Sequence, residues 1–189
     1  MTLLKAPYLP VLMQYMKMIK YCLLLLGFGT LLTSCSPTLS PFTQNLYEDN
    51  NWTEGDLRKI QFYLSDDIVL YRELTGGNSE IVQGEIKVVN GRKRDQITFR
   101  RGTPGVFLFS PKINRFAVSF EDGGDDRYLI FGPNPKVANR YVLLASDWNR
   151  QQCVVTYAGQ QWTVDANDAY TALMVDLERL QQVDVNTRV

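Results

Sequence analysis

The chain has 189 residues, with 20 basic and 20 acidic side chains, three cysteines and no histidine. The missing imidazole excludes Ser-His-Asp and Cys-His catalysis and removes the usual general base near neutral pH. Zinc sites built on His or on Cys are excluded as well, so any enzyme here would work with carboxylates, Lys, Tyr or a hard metal.

Taken in chain order, the first feature is an apolar run from Tyr21 to Leu32, preceded by Lys17 and Lys20. A bilayer span needs ~20 apolar residues, so this run has the size of a secretory h-region instead. It closes on Leu32-Thr33-Ser34-Cys35, with small residues ahead of a cysteine. Residues 1–15 exceed what such a signal needs, and Met16-Lys17-Met18-Ile19-Lys20 has the form of a normal start. The expected division is 1–15 as a misassigned start or extended n-region, 16–34 as signal, 35–50 as anchor cysteine and tether, and 51–189 as one globular domain. The stretch Ser36–Leu46 holds two prolines and several Ser/Thr without a hydrophobic period, the composition of a tether.

Leu-Thr-Ser-Cys resembles the lipobox of bacterial lipoproteins. The resemblance implies cleavage before Cys35, diacylation of its thiol and acylation of the new amine. Two or three acyl chains at about 0.8 kcal/mol per buried CH₂ hold firmly where one does not. Ser36 stands where inner-membrane retention usually shows Asp, and the first acid after the cysteine is Glu48. By the same resemblance the anchor sits in the outer membrane and the domain faces the periplasm rather than the cell surface. Loss of Lys5, Lys17 and Lys20 with the signal leaves seventeen basic against twenty acidic residues, about −3 net, and no field toward nucleic acid.

Beyond the tether, Asn51 or Thr53 can cap a short helix with Leu57 and Ile60 turned inward. β signals then dominate. Ile60–Leu64 alternates, Asp66-Asp67 interrupts, and Ile68–Tyr71 resumes in phase, as one bent strand or two short ones. Gly76-Gly77-Asn78 reads as a turn and Glu80–Val89 as a strand with a bulge at Gly84. Asn90-Gly91 is a hairpin signal, because a type I′ turn needs positive φ at both central residues. Arg94–Arg100 returns with Ile97 and Phe99 on one face, and Gly102–Gly105 breaks the chain. Val106–Phe109 reads as a strand buried on both faces. Arg115–Phe120 places Phe116, Val118 and Phe120 inward, and 121–126 is a loop. Arg127–Phe131 is a strand stopped by Gly132-Pro133-Asn134-Pro135. Tyr141–Trp148 and Gln152–Tyr157 read as a hairpin over Asn149-Arg150. Ala158-Gly159 turns into Gln161–Val164. Tyr170, Leu173, Met174, Leu177 and Leu180 then recur at spacings of 3 and 4, one helix face that Asp165 or Asn167 can cap.

The expected fold is mainly β: an antiparallel β-sandwich or small barrel of about eight short strands, with a short N-terminal helix and a C-terminal helix. The motifs Gly102-Thr103-Pro104-Gly105, Arg115–Phe120, Leu129–Pro135 and Tyr141–Ser146 resemble a group of uncharacterised lipoproteins of Bacteroidota, which carries no known activity or site residues.

Candidate sites are few. Arg92, Lys93, Arg94, Arg100 and Arg101 form a basic hairpin suited to phosphates or an acidic partner, or a solvated face paired to Glu80, Glu85 or Asp95. Trp148 and Trp162, each beside a turn, are the aromatics best placed for ligand or partner contact. Glu121, Asp122, Asp125 and Asp126 could offer oxygens to Ca²⁺, though the spacing is not that of an EF-hand. Asp66-Asp67 with Asp165 or Asp168 could form a carboxylate pair for glycoside hydrolysis. Cys153 in a strand-like run reads as a buried thiol. No cofactor is expected. The first functional expectation is a non-enzymatic accessory subunit that binds an envelope protein. The alternatives are a glycan- or lipid-binding β module, and a carboxylate hydrolase. An aromatic-lined concavity would favour a ligand; a filled barrel with a flat apolar patch would favour a protein.

Overall fold

The structure, a computed structural model, describes residues 14, 16, 38–74, 85–89, 92–122 and 126–180, with the backbone alone at 87, 89 and 92. The chain divides into two units, Met1–Pro37 and Thr38–Val189; the fold described below is that of the second. Cys35 and the signal segment, Gly76–Asn78, Glu80–Gly84, Asn90-Gly91 and the tail beyond Leu180 lie outside the described residues.

The second unit is mainly β, with two antiparallel sheets. Its strands are β1 (Leu39–Pro41), β2 (Gln61–Leu64), β3 (Ile68–Glu73), β4 (Glu85–Val89), β5 (Arg92–Phe99), β6 (Pro104–Lys112), β7 (Arg115–Ser119), β8 (Leu129–Asn134), β9 (Arg140–Leu143), β10 (Gln152–Tyr157), β11 (Gln160–Asp165) and β12 (Leu173–Asp176). A seven-stranded sheet runs β1-β12-β2-β6-β7-β8-β9, and a five-stranded sheet runs β10-β11-β3-β5-β4. Single bridges Thr43↔Arg140 and Val142↔Ala172 join β9 back to the segments beside β1 and β12. The large sheet therefore curls upon itself without a continuous closing ladder.

Helix α1 (Gln44–Asn50) is capped by Thr43, whose side chain accepts from the Leu46 N–H. Helix α2 (Glu54–Leu57) has a reciprocal capping box between Thr53 and Asp56, as Thr53 followed three residues later by an acid predicts. Leu57 and Ile60 are buried.

Several expectations are corrected. Residues 38–50 are fold, not tether. β1 pairs with β12, and Phe42 is fully buried among Tyr47, Trp52, Phe62, Phe116 and Tyr141. One large ring outweighs the turn-rich composition around it. Of the two readings of Asp66-Asp67, two short strands is the one found, and β2 and β3 lie in different sheets with the acids at the crossover. Val106 is exposed in β6 and a register shift follows Phe107, so this strand is not buried on both faces. Its neighbour β7 is: Ala117 and Ser119 are buried as well as Phe116 and Val118. β8 continues through Gly132 and Pro133, since Pro133 keeps its place opposite Tyr141. β9 and β10 belong to different sheets, and the expected hairpin is confined to their flanks, where Ser146 bridges Val154 and the Asn149 N–H donates to the Gln152 carbonyl. The expected helix from Tyr170 is instead a 3₁₀ turn (Asp168–Tyr170) and strand β12, and a helical turn starts only at Leu177. Leu173 and Val175 are both buried with Met174 between them, a period of two that the 3/4 spacing hid.

Other expectations hold. β4 and β5 are antiparallel, with Val89 opposite Arg92. Ala158 and Gly159 have φ of 51° and 69° between Tyr157 and its partner Gln160, the positive pair of a type I′ hairpin turn.

Candidate functional site

One concavity lies against β8 and β9. It is a groove of about 510 Å³. Its floor is Val142, Leu143, Leu144, Ala145 and Ala169, and its walls are Pro133, Asn134, Pro135, Lys136, Trp148 and Tyr170. Trp148 is 50% exposed and Tyr170 46%, with ring centroids 6.4 Å apart and planes tilted by 54°.

Local rules place each wall. Asp147 has φ 48°, which turns the chain sharply before the tryptophan. The Trp148 Nε1–H donates to the Ala145 carbonyl at 3.0 Å, so the indole is pinned at its polar edge with a face left open. Tyr170 ends the 3₁₀ turn, closed by Tyr170 N–H to the Asn167 carbonyl and Thr171 N–H to Asp168. On the opposite wall, the Asn134 side chain accepts from the Lys136 N–H at 3.0 Å and caps the 3₁₀ turn Pro135–Val137. Gly132 makes room beneath: a Cβ there would stand 2.8 Å from Leu144 Cδ1 and 3.3 Å from the Asn114 carbonyl oxygen.

A second groove of about 240 Å³ shares Leu144 and Ala145 with the first and adds Arg115, Ile130, Ser146, Val154, Val155 and Thr156. The two concavities meet at these two residues. A third, of about 450 Å³, lies between Arg58 and Phe107–Phe109.

Of the residues singled out from sequence, Trp148 stands in the groove. Trp162 does not: it is 2% exposed, its Nε1–H donates to the Tyr157 carbonyl, and Arg72 covers its ring at 4.8 Å. It is core, because β11 turns it inward opposite Val155.

Two side chains of the basic hairpin are engaged in ion pairs. Arg94 pairs with Glu73 at 3.5 Å and lies 4.6 Å over the Tyr71 ring. Arg100 pairs with Asp67 at 3.1 Å, and the Arg101 backbone N–H donates to the same carboxylate. Arg92 is described by its backbone alone, at the start of β5.

In the acidic loop, Asp125 lies outside the described residues. The Glu121 carboxylate accepts from the Tyr157 hydroxyl, and its partial burial raises its pKa, while Asp122 and Asp126 are exposed. Among the described residues no three Cys, Asp or Glu side chains converge as a metal-ligand set.

The fold does gather the other acids. Asp168 accepts from the Val69 N–H at 3.0 Å, and Asp165 accepts from the Tyr71 hydroxyl at 3.0 Å. Burial raises the Asp168 pKa against that hydrogen bond, and the charges of Asp165, Asp66 and Asp67 raise it further. None of the three grooves has any of these acids on its wall. Each is engaged by a neighbouring hydrogen bond, Asp66 by the N–H of Asp67. Cys153 is buried, its thiol donates to the Val164 carbonyl at 3.7 Å, and burial with the nearby Asp168 and Asp165 pushes its pKa up to about 11. A thiol so placed is a poor nucleophile.

Tyr170 and Lys136 escape a sequence reading. Tyr170 counts as a helix-face residue under a 3/4 period, and Lys136 lies inside a Pro-rich stop. The turn-favouring pair Asn167-Asp168 was the available signal for a turn there.

Comparison with protein-family models, with curated proteins and with solved structures finds no match.

Proposed function

We propose that this chain is a lipid-anchored, non-enzymatic binding module of the bacterial outer membrane, facing the periplasm, with its ligand contact in the Trp148–Tyr170 groove. The observation that carries the reading is the pair of half-exposed rings over an apolar floor. Pockets that bind small ligands are mostly apolar with a few placed polar groups, and 510 Å³ falls within their size range. The lipobox-like Leu32–Cys35 supports the anchor. The absence of histidine and the engagement of every gathered carboxylate support binding over catalysis.

The tryptophans supply the test. The chain has three, and Trp52 and Trp162 are buried at 8% and 2% exposure. Iodide quenching of the full-length protein therefore reports on Trp148. An extract of the producing cell's envelope is expected to protect that emission. The Trp148→Ala variant is expected to show neither quenching nor protection. Quenching unchanged by the extract would remove the groove as the ligand site.

A second reading, the accessory subunit with a protein partner, draws on a different surface. Val106 is 49% exposed, next in sequence to the groove of Phe107–Phe109 and Arg58. An exposed apolar side chain beside an apolar groove suits a protein contact. Val106→Lys would then cost partner binding and leave Trp148 quenching unchanged.

A further inference from the structure

We infer that the groove takes an acidic glycan chain, lying across Trp148 and Tyr170 with its acid groups toward Lys136 and Arg115. This rests on the ligand-binding reading above and names the ligand's class.

The rings argue for a sugar. Their planes diverge by 54°, so a single flat aromatic ligand cannot stack on both. A pyranose presents a slightly positive C–H face, which suits the negative face of an aromatic ring. Successive units of a chain change direction enough to meet two tilted rings. The hydrogen bond from Trp148 to Ala145 already orients the indole, so binding loses little side-chain freedom there.

The charges argue for acid groups. Lys136 stands on the wall of the first groove and Arg115 on the wall of the second, both exposed. Neither has an acidic partner among the described residues, unlike Arg72, Arg94 and Arg100. Charge-assisted bonds from Arg or Lys to a carboxylate or phosphate are the strong kind. Leu144 and Ala145 line both grooves and make them neighbours, which fits a chain rather than a monosaccharide.

Other occupants fit less well. A peptide added as a strand needs a free edge, but β9 pairs with β8 on one side and is bridged to Thr43 and Ala172 on the other. An acyl chain needs shelter from water, and both rings here stand half in solvent.

The test uses the full-length protein in detergent on an array of oligosaccharides of matched length. The array carries uronate, sulfate, phosphate or no charge. Acidic members are expected to bind and neutral ones not. Trp148→Ala and the double variant Arg115→Gln/Lys136→Gln should each lose about tenfold or more. The double variant should also lose most of the decline in binding between about 50 and 300 mM salt. Equal binding of neutral members, or a double variant that binds like the parent, overturns the acidic-glycan assignment. If Trp148→Ala still abolishes that binding, the groove reading survives without it. Binding to no member overturns the glycan assignment too, and the quenching experiment then judges the groove independently.

Discussion

Two nitrogens of Arg72 hold one oxygen of Asp95, Nε at 2.9 Å and Nη2 at 2.7 Å, and Asp95 is wholly out of solvent. The same guanidinium covers Trp162 and donates to Gln160. β5 points Asp95 inward with Ile97 and Phe99, and β3 places Arg72 opposite it. The pair thus carries charge into the face that the two sheets share. Its second carboxylate oxygen has no hydrogen-bond partner.

Removing one member of such a pair leaves the other buried and uncompensated, at a cost of about 3–5 kcal/mol. Arg72→Ala is expected near the lower end, since the Arg72 side chain keeps 24% exposure. Arg72→Met/Asp95→Leu should be markedly more stable than Arg72→Ala. Urea unfolding followed by tryptophan emission measures both. A loss below about 1 kcal/mol for Arg72→Ala would place this pair with ordinary surface ion pairs.

Phe42 makes the second case. It contacts five aromatic rings, with centroids from 5.0 to 6.5 Å away. Phe42→Ala is expected to cost about 3–5 kcal/mol, the range for a buried ring. If residues 38–50 served only as a tether, the same change would be silent. Thermal unfolding of the parent and the variant separates the two outcomes.

Phe42 also shows what a sequence hides. A lone phenylalanine between Pro41 and Thr43 has no period, and only the long-range pairing of β1 with β12 reveals that it is core. Local signals were legible where the cause was local. The Thr53–Asp56 capping box, the Ala158-Gly159 turn and the inward set Phe116, Val118 and Phe120 are set by neighbours in sequence. Sheet membership was not, because β2 and β3 keep phase across Asp66-Asp67 yet part into different sheets. Half of the groove was legible on the same terms: Trp148 stands beside a turn, whereas Tyr170 reaches it only because β12 is a strand.

Asp168 gives a pH dependence of definite sign. Its folded pKa lies above the ordinary aspartate value of 3.8, because burial and three neighbouring carboxylates disfavour its charge. The native state therefore binds a proton more tightly than the unfolded chain. Stability from this group is present below 3.8 and declines as pH rises through the raised folded value. Asp67 works in the opposite sense, since its hydrogen bond from Arg101 lowers its pKa. Asp168→Asn keeps an oxygen for the Val69 N–H and removes the charge. It should be more stable than the parent at pH 7, and the difference should shrink as the pH falls below the folded pKa. Urea midpoints from pH 3 to 7 provide the check; a variant less stable at pH 7 would contradict the shift.

The last prediction concerns how far the domain stands from its membrane, given the proposed lipid on Cys35. Strand β1 starts at Leu39, four residues on, and its pairing of Leu39 with Asp176 fixes that end of the chain to the domain. Four extended residues reach at most ~14 Å. A domain so tied would rest near the headgroups. Thr38 is exposed and Cys153 is buried, so a thiol dye on Thr38→Cys labels one position. In vesicles carrying the lipidated protein and a headgroup acceptor, energy transfer should be strong. It should fall when ~30 Gly/Ser residues are inserted after Pro37, since such a linker has a root-mean-square span of roughly 30 Å. Equal transfer with and without the insert would show that something other than the short tether holds the domain at the surface. A protein that fails to join the vesicles at all would instead reject the lipid anchor.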